Sequence, residues 1–436
     1  MSGDAENKDS LTSLRLFFFS CILALFDGFR YTVTYFTIQA GDDMKEPILT
    51  KRFCFCFLSL FCSGMVMYML MATITQYASE FGATPTVAGL VSGIYVAGGL
   101  CSRLYAGRGL ETFGWKRLAL IFSVLHLTAC CFYPFITSLP LLILVRFVHG
   151  LGFGAGGSAI VTIGMSVLPK SRYGEAAGYF MLATTISVGI GPFAGGYIYD
   201  FFGGTGCFVT AILLSLLQIV FLLPVDLSDV DPGGRKGTER NSEVHGLDRL
   251  IEKKAVPIAA VTALCALGYV SVMSFYRLYA GETGLTRVFS GFFLLYAFVL
   301  VFSRPFAGKL QDRHGDRVVC IPGILAQTVG LALMAWHPCT VTVILCAVGC
   351  ALGFGTLNSA CNVIACRNAP LSRRSYAVST FYLCCDVGMG FGPALLGWFV
   401  SGVGYTGMYF AAAAFTLLAL PLFLWKSKKQ QPVEPL

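Results

Sequence analysis

"AGKLQDRHGDR", Ala307 to Arg317, packs five formal charges and a histidine into eleven residues of a chain whose charged residues make up only 12%. A degenerate copy, "AGRGLETFGWKR", begins at Ala106, 201 residues earlier. The same offset of 201 pairs Ser102 and Arg103 with Ser303 and Arg304, and Gly107 with Gly308. It also pairs Glu111 with Asp312, Gly152 and Gly154 with Gly353 and Gly355, Pro169 with Pro370, and Arg172 with Arg373. "IGP" ending at Pro192 falls on "FGP" ending at Pro393. One register kept across so many glycines, prolines and arginines predicts a duplicated chain.

Composition says what is duplicated. Of 436 residues, 56% are apolar and 14% aromatic, and the mean hydropathy is +0.72. A soluble protein of this size needs more polar surface to cover its core. Apolar runs near the roughly 20 residues that a bilayer-crossing helix requires recur along the chain. They predict spans at 53–77, 87–107, 118–138, 140–164, 176–200 and 206–226, then 256–276, 288–308, 318–336, 340–364, 376–400 and 405–425. The expected fold is all-α and integral to the membrane, twelve helices in two six-helix bundles. Residues 51–226 form the first bundle, 227–254 a water-exposed linker containing "DPGGRKGTERNSE", and 255–436 the second bundle with a short tail. A substrate site is expected between such repeats.

Lys and Arg concentrate in the segments on the Lys51 side, while Arg277 and Arg287 fall on the other side and Arg103, Arg146 and Arg304 within spans. Both termini of the core are therefore expected in the cytoplasm, in a multi-pass protein of the plasma membrane. The net charge of +8 sits in short loops and argues for neither nucleic acid nor an anionic partner. Most of the seventeen cysteines lie inside spans, where a thiol serves as a small hydrophobe. No metal-ligand spacing occurs outside the apolar runs, so neither metal nor cofactor is expected. Residues 1–50 are of uncertain status. "LRLFFFSCILALF" could be an extra span, an interfacial helix or a signal-like region, or translation could start at Met44.

Three motifs in order resemble the major facilitator superfamily, and its efflux-type bacterial members in particular, over residues 51–429. The family's loop between helices 2 and 3 reads G-x-x-x-D-R-x-G-R-R/K. "GKLQDRHGDR" matches through Gly308, Asp312, Arg313, Gly315 and Arg317; the first copy keeps Gly107, Gly114 and Lys116 but has Glu111 and Thr112 for Asp and Arg. The helix 4 pattern R-x-x-Q-G-x-G appears as "RFVHGLGFG", with His149 in place of glutamine. The helix 5 pattern of exporters runs through Gly178, Ser187, Gly191, Pro192 and Gly195, one glycine having become serine. The resemblance implies alternating access, with the charged loops as a conformational latch between the halves and the helix 5 residues as a packing face. A positive stop signal that only sets topology is the plainer reading of the loops.

Ionisable groups in hydrocarbon are candidates for function. Asp386 lies roughly 15 Å along span 11, and Arg146 roughly 9 Å into span 4. Their repeat positions hold Thr185 and Ala347. Asp386 is the expected proton carrier, with Arg146 and His149, one helical turn on, beside it. A structural hydrogen bond from Asp386 to Arg304, to Asn358 or to a helix end is the alternative, and His126 reads as a core histidine. The resemblance makes helices 1, 4, 7 and 10 line the cavity, so Tyr68, Gln76, Asn358 and Asn362 are expected there. Met65, Met67, Met69 and Met71 suit either an adaptable apolar pocket or lipid-facing filler.

The function expected is proton-coupled export of a small amphipathic organic compound or drug by a monomer, driven by the proton gradient. Import of a nutrient or organic acid, with Arg146 as anion partner, is the alternative, and a sensor without flux is more remote. No clustered catalytic residues such as HExxH and no Walker-type phosphate loop occur, so neither an enzyme nor an ATP-driven pump is expected.

Overall fold

Thr50 and Thr84 open the first two helices by accepting hydrogen bonds from the Phe53 and Val87 amides, at 3.2 and 3.4 Å. In the second, Pro85 takes the first helical position, where its missing N–H costs nothing. The computed structural model describes residues 47–169, 173–227, 251–369 and 374–428. Within them the helices are α1 (Lys51–Glu80), α2 (Pro85–Phe113), α3 (Trp115–Phe132, followed by the 3-10 turn Tyr133–Phe135) and α4 (Leu139–Ser166). Tyr173–Leu222 is broken at Gly203 (φ 62°, ψ −163°) into α5 (173–202) and α6 (204–222). The second half repeats the plan with α7 (Val256–Thr283), α8 (Thr286–His314), α9 (Arg317–Trp336) and α10 (Thr340–Asn368). Arg374–Lys428 breaks at Gly404 (φ 70°) into α11 (374–403) and α12 (405–428).

Positive φ occurs only at glycine among the described residues, and the six positions pair between the halves: Gly82 with Gly284, Gly114 with Gly315, and Gly203 with Gly404. Side-chain-bearing residues resist this backbone region. The repeat therefore kept the glycines where the chain reverses direction, and the last two pairs keep the offset of 201. Among the described residues, nine continuous helices are long and apolar enough to cross a membrane; two of these are the glycine-broken doubles, and α8 carries a shorter apolar stretch, Gly291–Arg304. Large apolar side chains such as Phe135, Phe306, Trp336 and Trp398 point outward, as lipid-facing helices require. The protein is a multi-pass, all-α membrane protein.

α1 lies inside this ring rather than at its edge. Met65, Met67, Met69 and Met71 are all buried, which corrects the lipid-facing alternative. α5 covers one side of α1: a Cβ on Gly191 would meet Tyr68 Cβ at 2.9 Å, and one on Gly195 would meet Met69 Cγ at 2.7 Å. Met67 and Met71 join the core of the second bundle, together with Tyr95 and Val96 of α2. Methionines on opposite faces are buried because α1 has protein on both sides.

The two bundles meet most closely at the end of the molecule marked by Pro85. There a Cβ on Gly89 or Gly93 would collide with the carbonyls of Pro393 or Gly390, and one on Gly397 with that of Pro85. Thr86 and Ser401 hydroxyls are 3.3 Å apart across the same seam. At the other end, Gly178 and Gly308 face open space.

Candidate functional site

Asp386, near the middle of α11, is ion-paired with Arg103 of α2. The partner is none of the three expected, because α2 rather than α8 or α10 packs along this face of α11. The pair therefore joins the two bundles. Its side chains remain 34% and 15% exposed, so it borders a crevice rather than a sealed core.

The repeat-related pair lies across the other seam. Arg304 of α8 stands where Arg103 stands in α2, and Thr185 of α5 where Asp386 stands in α11. Arg304 Nη1 donates to the Thr185 hydroxyl at 3.2 Å, and Nη2 reaches the Gly355 carbonyl at 3.5 Å. Its buried Nε has no acceptor. The Gly355 carbonyl is presented by a wide π turn, Ala351–Gly355, which interrupts α10. Gln327 of α9 supports that turn, accepting from the Phe354 amide at 2.9 Å and donating to the Cys265 carbonyl at 2.8 Å. Such turns recur at functional positions.

Packed aromatic rings back the crevice. The Tyr269 ring stacks on Phe354 at 4.9 Å and lies 5.2 Å from Tyr296. Tyr68 is within electrostatic reach of Arg304, Arg103, Asp386 and Tyr382. Tyr382 is 44% exposed although all three of those charges act on it, so its exposure is to the interior crevice. Asn358 borders the same region, with its amide oxygen 4.0 Å from Cys385 Sγ. Asn362 lies one turn on and accepts from the Cys366 thiol at 3.6 Å.

Other expected site residues are placed elsewhere. Arg146 has no exposed surface. Its Nε and Nη2 donate to the Val91 and Ser92 carbonyls at 3.1 and 3.3 Å, and its guanidinium lies 4.4 Å from the centre of the Tyr95 ring. It ties α4 to α2 inside the first bundle. His149 bonds the Tyr133 hydroxyl at 2.9 Å and Cys130 Sγ at 3.3 Å. His126 meets the Ser215 hydroxyl at 3.1 Å, with Nε2 left unpaired. Neither Arg146 nor His149 contacts Asp386. The ligand atoms of His126, Cys130 and His149 lie within 4.8 Å of one another and could hold a thiophilic ion. Here the three groups, with Tyr133 and Ser215, largely satisfy one another, and Arg146 stands beside them. The sequence carried a trace of this cluster, since His126 and Cys130 share a helix face four residues apart.

Gln76 is not in the central crevice. It accepts from Arg277 Nε at 2.6 Å, and Arg277 also pairs with Asp200. These groups line a cavity of about 130 Å³ at the Pro85 end, with Tyr276 and Phe289. Gln76 and Arg277 are themselves repeat mates, 201 residues apart, and meet where α1 crosses α7. The sequence marks neither Arg103 nor Arg277 as a site residue, and Arg304 only as an alternative partner of Asp386. The usable signal was the duplicated Ser-Arg at 102–103 and 303–304.

The charged loops act within their own bundles where they are described. Lys116 donates to the Leu223 and Val225 carbonyls at 2.7 and 2.6 Å, closing the C-terminal end of α6. Asp316 pairs with Arg367 of α10 and accepts from Gln311 at 2.8 Å. Arg313 and Arg317 are exposed, and Gly114 and Gly315 make the turns. Gly107 and Glu111 lie in α2 and Asp312 in α8, but these side chains lie outside the described residues, as do residues 1–46. On the expected packing face of α5, Ser187 donates to the Phe61 carbonyl at 3.1 Å, and the Pro192 carbonyl accepts from Tyr276 at 3.2 Å. Gly178 packs against nothing.

A model described as the Major Facilitator Superfamily matches residues 56–295 and 258–435. The chain is 24% identical over 352 residues to an uncharacterised MFS-type transporter of Methanocaldococcus jannaschii, covering 78% of this chain and 89% of that one. It is 21% identical over 371 residues to the staphylopine export protein of Staphylococcus aureus, covering 82% and 91%. Its fold is similar to that of a POT family transporter in complex with a thioalcohol-conjugated peptide, with TM-score 0.72, 14% identity and 86% and 96% of the two chains covered. A bacterial homologue of the lysosomal transporter Spinster superposes with TM-score 0.67 at 14% identity, over 89% of this chain and all of that one.

Proposed function

The chain belongs to the Major Facilitator Superfamily, and from that premise we propose that it exports a small amphipathic organic compound in exchange for protons. The Arg103–Asp386 pair between the bundles carries this reading. With Asp386 ionised, attraction to Arg103 holds α2 against α11. A proton on Asp386 removes one charge of the pair and frees that seam to part, so proton binding and bundle packing are linked. Asp386 is the titrating group and Arg103 its counter-ion; Arg146 and His149 are assigned to the core of the first bundle.

With the Gly114 end in the cytoplasm, the contacts at the Pro85 end seal the outside and the crevice opens inward. Arg277, Asp200 and Gln76 then form the outer gate, and the Glu111 and Asp312 loops the inner latch. Similarity to an export protein and the α5 motif favour export. The protein works as a monomer in the plasma membrane. In proteoliposomes, an imposed pH gradient should drive movement of a candidate solute, and Asp386→Asn should abolish the dependence on that gradient. Full coupling in that variant would rule the assignment out.

A further inference from the structure

We propose that the substrate carries a carboxylate, and that Arg304 is the residue that receives it. This deepens the transporter reading and rests on it. The inference starts from the two repeat-related arginines. Arg103 and Arg304 occupy the same place in α2 and α8, yet only Arg103 faces an acid. Thr185 stands where the second acid would be and gives Arg304 a hydroxyl at 3.2 Å. The duplicated site is thus complete on one side and lacks its anion on the other.

The charge balance agrees. Arg103, Asp386 and Arg304, the charges that act most strongly on Tyr68 and Tyr382, sum to one excess positive charge. Arg304 is half-buried, and a cation that loses part of its hydration without gaining a counter-ion is destabilised. The hydrogen-bonding capacity of Arg304 is also unspent: Nε has no acceptor, and Nη2 makes only the 3.5 Å contact to Gly355. These two nitrogens form one edge of the guanidinium, and two parallel N–H donors match the two oxygens of a planar carboxylate. Beside them the π turn of α10 brings in the Gly355 backbone. Tyr68 and Tyr382 supply an aromatic face for the rest of the molecule, backed by the packed rings of Tyr269, Tyr296 and Phe354. The ligand class is an amphipathic monocarboxylate with an apolar or aromatic body.

The test uses purified full-length protein in detergent, with benzoate as probe and benzamide as its uncharged counterpart. Benzoate is expected to raise the melting temperature by mass action, and benzamide to do so far less. In Arg304→Gln the apparent affinity for benzoate should fall at least about tenfold. Thr185→Asp gives Arg304 an internal counter-ion at Nη1, beside the edge that would receive the ligand. It should melt above wild type without any probe and should no longer respond to benzoate. Equal protection by benzoate and benzamide would overturn the proposal, as would undiminished protection in Arg304→Gln. So would a Thr185→Asp protein that melts below wild type or fails to fold. No gradient enters this measurement. Loss of proton dependence and loss of carboxylate binding are therefore read separately.

Discussion

Arg103 of α2 and Asp386 of α11 bridge the two bundles with opposite charges, while their repeat mates Arg304 and Thr185 bridge the other seam with a charge and a hydroxyl. One substitution at equivalent positions makes two architecturally matched seams chemically different. A seam closed by an ion pair responds to protonation; one closed by a hydroxyl does not.

Breaking the pair from either side should have unequal costs. Arg103→Gln leaves a carboxylate facing no cation, whereas Arg103→Gln with Asp386→Asn leaves a neutral pair able to hydrogen-bond. The double variant is expected to melt above the Arg103→Gln single variant. A double variant that melts lower still would mean that the two residues do not act as a pair.

The Pro85 end should be lockable. Thr86 and Ser401 hydroxyls lie 3.3 Å apart, so Thr86→Cys with Ser401→Cys should cross-link α2 to α11 on oxidation. Transport should stop and return with reductant. Transport undiminished by a quantitative cross-link would show that this seam does not open during the cycle.

Gly93 meets the backbone of Gly390 with no room for a side chain. Gly93→Ala should strain the closed seam by about 1–3 kcal/mol. The yield of the Thr86–Ser401 cross-link should then fall several-fold, as quantified on gels after cleavage between the halves. An unchanged yield would place the rigid contact elsewhere.

Arg146 should prove structural. Arg146→Met abandons the Val91 and Ser92 carbonyls, a loss of about 1–3 kcal/mol visible as a lower melting temperature. Whatever transport remains should keep its dependence on the proton gradient. Gradient independence in this variant would return Arg146 to the coupling machinery.

Cys339, just before α10, offers a pH signature outside the spans. Hydrogen bonds from Thr342, from its backbone first and its hydroxyl second, with His337 third, hold the thiol down to about 7. Below that pH the thiol is protonated and slow; above it the thiolate predominates. The labelling rate with an impermeant maleimide should rise about tenfold between pH 6 and 8 and then level, where an ordinary thiol keeps climbing. Labelling of intact cells should come from outside, and labelling only after permeabilisation would invert the assigned topology.

Twelve spans and their duplication were legible in the sequence because each depends on local chemistry. A run of apolar residues has to meet lipid whatever the helix later touches, and a repeated register shows in the residues themselves. Asp386 was singled out for the same reason, since a carboxylate within an apolar run needs a partner. Which partner it finds was decided by tertiary packing: small residues on α2 and α11 let those two helices touch, and that contact delivers Arg103. The same packing enclosed Arg146 within one bundle, sent Gln76 to Arg277 at the molecule's end, and buried all four methionines of α1. Depth along a helix follows from counting residues; the direction a side chain faces, and the helix it meets there, depend on how the bundles dock.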